Sequence, residues 1–182
     1  MKQKVLFIVA IAMVCITVYA QKTESLKEKK ILVAYFSATG TTEKAAQQIA
    51  AVVEGTLYKI QPVKNYTSGD LDWRDKSSRS SVEMADSKAR PALLAPLKNW
   101  GDYDRIYLGF PIWWNQAPRI INTFIESQDW TGKTVMPFAT SGSSSISNAE
   151  KELQKAYPEV RWEKGKLLNG ASEEDIKEWT KK

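Results

Sequence analysis

The sequence predicts an α/β domain in which helices cover both faces of a parallel sheet. Apolar segments of strand length alternate five times with segments of helical periodicity. The first of these segments, residues 31–36, is continuously apolar, as expected for a strand that is buried on both faces. The chain has 182 residues, of which 43% are hydrophobic, and this length and composition suit one domain of that class.

The five predicted strands follow in order along the chain. After the first strand comes a helical pattern, and Gly55 is placed to end it. Residues 56–60 form the second predicted strand, 103–110 the third and 134–139 the fourth, and 161–168 contain a short fifth strand.

The remaining helices lie between these strands and after them. Pro118 suits the first position of one helix, residues 147–157 form another, and Ser172 caps the last. Residues 62–96 form a long polar segment with one short predicted helix at 82–89. A segment of this length is expected either to have a function or to pack against the domain as an insertion.

Residues 1–20 have the pattern of a secretory signal peptide. Lys2 and Lys4 precede an apolar run that ends at Val18, and small residues precede a cut after Ala20. The apolar run is shorter than the roughly 20 residues that cross a bilayer. We therefore expect an exported, periplasmic protein with no membrane span in its mature chain.

Two other interpretations of the first residues stay open. One is a retained membrane anchor, and the other is a lipoprotein cut before Cys15, although Val14 stands where such signals usually have a small residue. In the favoured interpretation residues 21–29 are a flexible leader and residues 30–182 are the domain.

Composition excludes several classes of enzyme. The chain has no histidine, and its single cysteine, Cys15, would leave with the signal peptide. The mature chain could then hold no disulfide, thiol nucleophile, Ser-His-Asp triad or metal site built on His or Cys. Redox or group-transfer chemistry would therefore need a bound cofactor.

Charge gives no indication of a nucleic-acid partner. The whole chain has a net charge of +5, and removing Lys2 and Lys4 leaves 24 basic against 21 acidic residues, a net charge of +3. The charges are interspersed apart from the basic-leaning segment 22–30, as on a solvated surface.

The loop after the first strand has four hydroxyls and a glycine at the start of a helix. A helix start offers free N–H groups to a phosphate, and glycine lets the backbone approach closely. The nucleoside triphosphatase and dinucleotide fingerprints are both absent. Phosphate binding and simple helix capping both stay open at this point. The candidate residues are Ser37, Thr39, Gly40, Thr41 and Thr42.

Two further loops follow the third and fourth strands, whose carboxyl ends should meet the first loop at one edge of the sheet. One has two adjacent tryptophans, of which one is expected in the core and the other is available to stack on a flat ring. The other is small, polar and glycine-bearing. The candidates in the second loop are Pro111, Ile112, Trp113, Trp114 and Asn115, and those in the third are Thr140, Ser141, Gly142 and Ser143.

One ligand would suit all three loops. It would have a phosphate, a flat ring system and a polar edge, and flavin mononucleotide (FMN) has all three. The chain resembles the flavodoxins over residues 30–182, through the S-x-T-G-x-T spacing of the first loop, the Pro-Ile-Trp of the second and the Thr-Ser-Gly of the third. The resemblance implies a three-layer doubly wound sandwich with a five-stranded parallel sheet of order 2-1-3-4-5 and one non-covalent FMN.

Single residues have predicted roles. Because the first loop has four hydroxyls at a helix start and no lysine, Thr39 and Thr42 are expected to donate hydrogen bonds to the flavin phosphate. The resemblance implies that Trp113 stacks on the ring while Trp114 turns away or packs at its edge. Trp114 is bulky and is expected to resist positive φ. The third loop has no aromatic residue, although that loop often has one in the family.

Three functions remain as hypotheses. The leading one is an exported redox protein that exchanges electrons with a partner protein or a quinone-like small molecule. The second is an NAD(P)H-dependent quinone or flavin reductase on the same fold, and the third is a binding module that has lost the flavin.

Overall fold

The computed structural model describes residues 30–181, so the predicted signal peptide and leader lie outside the described residues. Strands and helices follow in the predicted alternating order. The strands are β1 (Lys30–Tyr35), β2 (Thr56–Lys59), β3 (Tyr103–Pro111), β4 (Thr134–Thr140), β5 (Arg161–Trp162) and β6 (Lys166–Leu167). The helices are α1 (Thr41–Val53), α2 (Arg79–Ala85), α3 (Arg119–Glu126), α4 (Ser147–Ala156) and α5 (Glu173–Thr180), with 3₁₀ turns at Gly69–Leu71 and Trp100–Asp102.

All strands of the sheet are parallel, and their order β2-β1-β3-β4-β5 confirms the prediction. The predicted fifth strand is interrupted, since β5 and β6 both pair with β4. Gly165 lies in the gap, and its N–H donates to Glu150 Oε1 at 2.6 Å. A Cβ at Gly165 would lie 2.5 Å from the Pro137 carbonyl oxygen, so the chain passes too close to β4 for any other residue.

Alternate residues of the strands face opposite layers. Val33, Tyr107 and Met136 are register partners that pack with buried residues of α1 and α5. Their neighbours in the strands, such as Leu32 and Ile106, pack with buried residues of α3 and α4. The three-layer doubly wound sandwich is therefore confirmed. None of the helices within residues 30–181 is long and apolar enough to cross a membrane.

Two helix boundaries differ from the prediction. The residue that ends α1 in the left-handed region is Glu54, with φ 52°, whereas Gly55 follows it in a tightly packed position, where a Cβ would lie 3.1 Å from the Val33 side chain. The short helix predicted at 82–89 is instead α2, because the Ser78 side chain accepts a hydrogen bond from the Ser81 N–H and so sets an earlier start.

The insertion at 62–96 is closed at its base. The Val63 N–H donates to the Ala92 carbonyl at 2.9 Å, and the Leu94 N–H donates to the Gln61 carbonyl at 2.8 Å. These backbone hydrogen bonds hold the two ends of the insertion side by side. Between these ends, Tyr66 packs edge-on against Trp113, which follows the carboxyl end of β3.

Candidate functional site

The first loop connects β1 to α1 and leaves the start of the helix open. The N-cap is Gly40, with φ 89°, and no side chain of the described residues accepts a hydrogen bond from the N–H groups of residues 41–43, which form the first turn of the helix. The Ser37 hydroxyl accepts the Gly40 N–H at 3.1 Å, while the hydroxyls of Thr39 and Thr41 lie exposed and 3.4 Å apart. The alternative that these hydroxyls simply cap the helix is therefore wrong, and the N–H groups of its first turn have no side-chain acceptor.

Thr42 has a different position from the other hydroxyl residues of this loop. Its residue exposure is 1%, and its Oγ1 lies 2.8 Å from the Oγ1 of Thr140, which is also buried. This hydrogen bond joins the first loop to the carboxyl end of β4. Thr42 also lines the cavity described below, so its hydroxyl lies between a structural partner and the open space.

The second loop ends in a tight turn from Trp113 to Gln116. The backbone N–H of each of these two residues donates to the carbonyl of the other, both at 2.9 Å. The two central residues, Trp114 and Asn115, have φ of 45° and 62°, as in a type I′ turn. Trp114 therefore adopts the positive φ that its bulk opposes, because the paired hydrogen bonds of the turn outweigh its local preference.

The two tryptophans have different surroundings. Trp113 is half-buried, and its ring packs edge-on against Phe36, with centroids 5.6 Å apart, and against Tyr66, at 5.2 Å. Trp114 is 44% exposed. Both line the same cavity, so the assignment of Trp113 as the ring-stacking residue stays a prediction.

The first turn of α4, which follows the third loop, supports the second loop from outside the cavity. The Asn148 side chain donates to the Asn115 carbonyl at 2.9 Å, which holds the tight turn in place. Ser141 is occupied within its own loop, where its hydroxyl accepts the N–H groups of Ser143 and Ser144. None of the four candidates in this loop, Thr140, Ser141, Gly142 and Ser143, is among the residues that line the cavity, although Thr140 reaches the first loop through its hydrogen bond with Thr42.

A cavity of about 390 Å³ joins the first two loops to the insertion. Its size lies within the range of small-molecule sites, which is roughly 300–1,000 Å³. The predicted residues that line it come from the first loop and from positions 111–114, and the insertion adds three more. The lining residues are Ser37, Ala38, Thr39, Thr42, Leu71, Trp73, Ser80, Pro111, Ile112, Trp113 and Trp114.

The contribution of Leu71, Trp73 and Ser80 was missed from the sequence. These residues lie in a hydrophilic segment without periodicity, so no pattern assigns them to a site. The one available signal was Trp73, a large aromatic residue in a polar stretch, and it is 72% exposed in the structure.

The side chains that line the cavity are all uncharged. The acidic residue in the first turn of α1 is Glu43, which accepts hydrogen bonds from Tyr35 at 2.8 Å and from Lys59 at 3.2 Å. These hydrogen bonds, led by that of Tyr35, hold the pKa of Glu43 below its usual range, while burial raises the pKa of Tyr35. Glu43 is therefore ionised at neutral pH, and Lys59 partly balances its charge.

The geometry agrees with comparisons to known proteins. The profile of a family described as flavodoxin matches residues 30–182, which include all three loops. The chain belongs to the flavodoxin family. No curated protein matches it.

Solved structures of similar proteins extend this assignment. A Bacteroides uniformis protein assigned as a flavoprotein shares 69% identity with this flavodoxin, with 85% of this chain and 99% of that chain covered and a TM-score of 0.82. A similarly assigned Bacteroides eggerthii protein shares 56% identity, with 85% and 97% covered and a TM-score of 0.83. A Lactobacillus acidophilus flavoprotein, solved in complex with FMN, shares the fold at 19% identity, with 84% and 99% covered and a TM-score of 0.64.

Proposed function

We propose that this flavodoxin is exported, binds one FMN non-covalently and exchanges electrons with a partner protein or a quinone-like small molecule. The observation that carries the proposal is the cavity, which joins an open helix start rich in hydroxyls to a loop with two indoles. These are the complementary surfaces for the phosphate and the flat ring of FMN.

The first loop fits a phosphate without any cationic side chain. The start of α1 has no side-chain cap, and its N–H groups carry the positive end of the helix dipole. A Cβ at Gly40 would meet nothing within 4 Å, so a phosphate has open space beside the backbone. The exposed Thr39 hydroxyl adds a donor. Hydrogen bonds and the dipole therefore replace the lysine that other phosphate loops use.

The second loop fits the ring. Trp113 is held at its position by edge-on contacts to Phe36 and Tyr66, so its ring is fixed before a ligand arrives. Trp114 is held by the tight turn, and Asn148 anchors that turn from outside. A flat ligand would bury apolar surface against these fixed side chains with little loss of side-chain entropy.

FMN, when bound, supplies the redox chemistry that no side chain of the mature sequence can supply. The residues of this chain bind the phosphate, orient the ring and shield it from water. The lining side chains include no acid or base, so the protein's own contribution at the cavity is one of binding and placement.

The test is an absorbance spectrum of the purified protein, followed by mass spectrometry of whatever heating releases. We expect a yellow protein that releases FMN. A colourless protein that cannot be reconstituted with FMN would contradict the proposal. Oxidation of NAD(P)H by the holoprotein with a quinone acceptor would instead identify a reductase, and no such turnover is expected of an electron carrier.

A further inference from the structure

We propose that the insertion forms one wall of the FMN site, with Ser80 as a hydrogen-bonding group and Trp73 as an aromatic cover. This inference rests on the proposed binding of FMN. It assigns a function to residues 62–96, which carry no predicted site residue. Two independent observations support it, one for each side chain.

Ser80 has a buried hydroxyl with no partner. The residue is 1% exposed, it lines the cavity, and its Oγ has no hydrogen bond to any residue that the structure describes. Two serines beside it show the ordinary arrangement, since the Ser78 hydroxyl donates to the Ser81 hydroxyl at 2.9 Å. A buried hydroxyl without a partner is unfavourable, so the Ser80 hydroxyl is a candidate to bond a polar atom of the ligand.

Trp73 has an exposed ring at the same cavity. Its indole is 72% exposed, the largest exposure among the large hydrophobic residues that the structure describes. It makes no ring contact with Trp113 or with any other described aromatic residue, which leaves its faces available. A flat ligand in the cavity would bury this apolar surface. The third loop has no aromatic residue that could cover the ligand in place of Trp73.

The wall is connected to the second loop through packed side chains. The Arg79 guanidinium donates to Glu83 at 2.6 Å and lies 4.0 Å from the centroid of the Tyr66 ring. Tyr66 in turn packs edge-on against Trp113. Because Arg79 directly precedes Ser80, these contacts hold the Ser80 hydroxyl in a fixed position relative to the predicted stacking residue.

The role of Trp73 is tested by titrating the ligand-free protein with FMN and following the fluorescence of the flavin. We expect Trp73→Ala to weaken FMN binding about tenfold or more, as the removal of a stacking ring does in other nucleotide sites. Trp73→Phe keeps an aromatic face and is expected to retain affinity within about threefold. Val82→Ala is the matched control, since Val82 is an exposed apolar residue of the insertion that does not line the cavity.

The role of Ser80 is tested by two measurements with opposite expected signs. Ser80→Ala should weaken FMN binding about fivefold or more, because a hydrogen bond to the ligand is lost. The same change should raise the melting temperature of the ligand-free protein by about 2 °C or more, because an unpaired buried hydroxyl is removed. A merely structural serine would give the reverse pair, a lower melting temperature and unchanged affinity, and that result would overturn the assignment.

The outcomes separate this inference from the proposed function. If the wild-type protein binds FMN and both alanine variants bind it equally well, the insertion is not a wall of the site and the proposed function stands. If only one variant loses affinity, the role of the other residue is overturned. If the wild-type protein does not bind FMN at all, both proposals fail.

Discussion

Trp114 is held in a backbone conformation that few side chains adopt. Its φ of 45° costs a residue with a Cβ roughly 1–2 kcal/mol, and the two hydrogen bonds between Trp113 and Gln116 maintain it. Strain of this kind commonly lies at binding sites, where the surrounding structure imposes it. At Trp114 the turn imposes this strain, and it places the indole at the cavity wall.

This strain can be measured with a pair of substitutions. Trp114→Ala and Trp114→Gly both remove the indole, but only glycine adopts positive φ freely. We expect the glycine variant to be more stable to chemical unfolding than the alanine variant by about 1 kcal/mol. The same pair at Lys151, an exposed position within α4, should show the ordinary order, with alanine more stable. Equal or reversed stability at position 114 would show that the turn stores no strain.

Thr39 and Thr42 are both predicted to bind the phosphate, yet their surroundings differ. Thr39 is exposed, so Thr39→Val should weaken FMN binding about tenfold and leave the ligand-free melting temperature unchanged. Thr42 is paired with Thr140, so Thr42→Val should weaken binding and also destabilise the ligand-free protein, by roughly 1–3 kcal/mol, because a buried hydroxyl loses its partner.

Thr42→Ser is the control for that prediction, since it keeps the hydroxyl and should retain most of the affinity and stability. Titration with FMN and thermal unfolding provide the two measurements. Unchanged affinity in the double variant, with both threonines replaced by valine, would make this loop a purely structural connection.

At the scale of secondary-structure elements, the insertion is attached to α3 by an ion pair. The Arg90 guanidinium donates two hydrogen bonds to the Glu126 carboxylate, both at 2.8 Å, and the Tyr157 hydroxyl donates a third, also at 2.8 Å. The Arg90 hydrogen bonds hold the pKa of Glu126 below its usual range, and burial raises the pKa of Tyr157 to about 12. The three side chains join the carboxyl-terminal part of the insertion to α3 and to the end of α4.

The pH dependence of this attachment follows from the direction of the shift. Because the pKa of Glu126 is lowered on folding, the ionised carboxylate stabilises the fold above its ordinary pKa, and this stabilisation is lost as pH falls through the folded value. Glu126→Gln should therefore cost stability at pH 7, by up to roughly 1 kcal/mol for a partly exposed pair, and less at pH 3.

Urea unfolding at the two pH values measures this difference. Glu178→Gln on α5 is a matched control at an exposed glutamate. For this control, the difference in unfolding free energy from wild type should not become smaller between pH 7 and pH 3. A constant difference between wild type and Glu126→Gln across the pH range would indicate that the charge of Glu126 contributes nothing.

At the scale of the whole molecule, the sheet could be predicted, but the part of the cavity lining that comes from the insertion could not. Continuous apolar runs such as 31–36 and 134–139 predict buried parallel strands, because few other structures bury both faces of an extended segment. The position of the first and second loops at the carboxyl edge of the sheet could also be predicted, from the alternating order of strands and helices. Trp73 and Ser80 were missed because the residues that line the cavity with them are distant in sequence, and a polar segment has no period that would reveal them.

Two other features of the loops could not be predicted from the preferences of single residues. The conformation of Trp114 depends on a pair of backbone hydrogen bonds, which outweigh the preference of a single residue. The pairing of Thr42 with Thr140 joins residues 98 positions apart, and only the assembled sheet brings them together. Local patterns therefore predict elements, whereas contacts between loops need the tertiary structure.

Export is the property of the whole chain that remains to be tested, and residues 1–20 carry the prediction. We expect the full-length protein, expressed in a bacterium with two membranes, to appear in the periplasmic fraction with Gln21 as its first residue, as determined by intact mass. Ala20→Arg removes the small residue before the cut and should leave an uncut precursor in the membrane fraction. Cys15→Ser should change nothing, because in this interpretation the cysteine lies within the removed segment. A lipidated product that begins at Cys15 and disappears in Cys15→Ser would establish a lipoprotein instead, and an uncut wild-type chain in the membrane would establish a retained anchor.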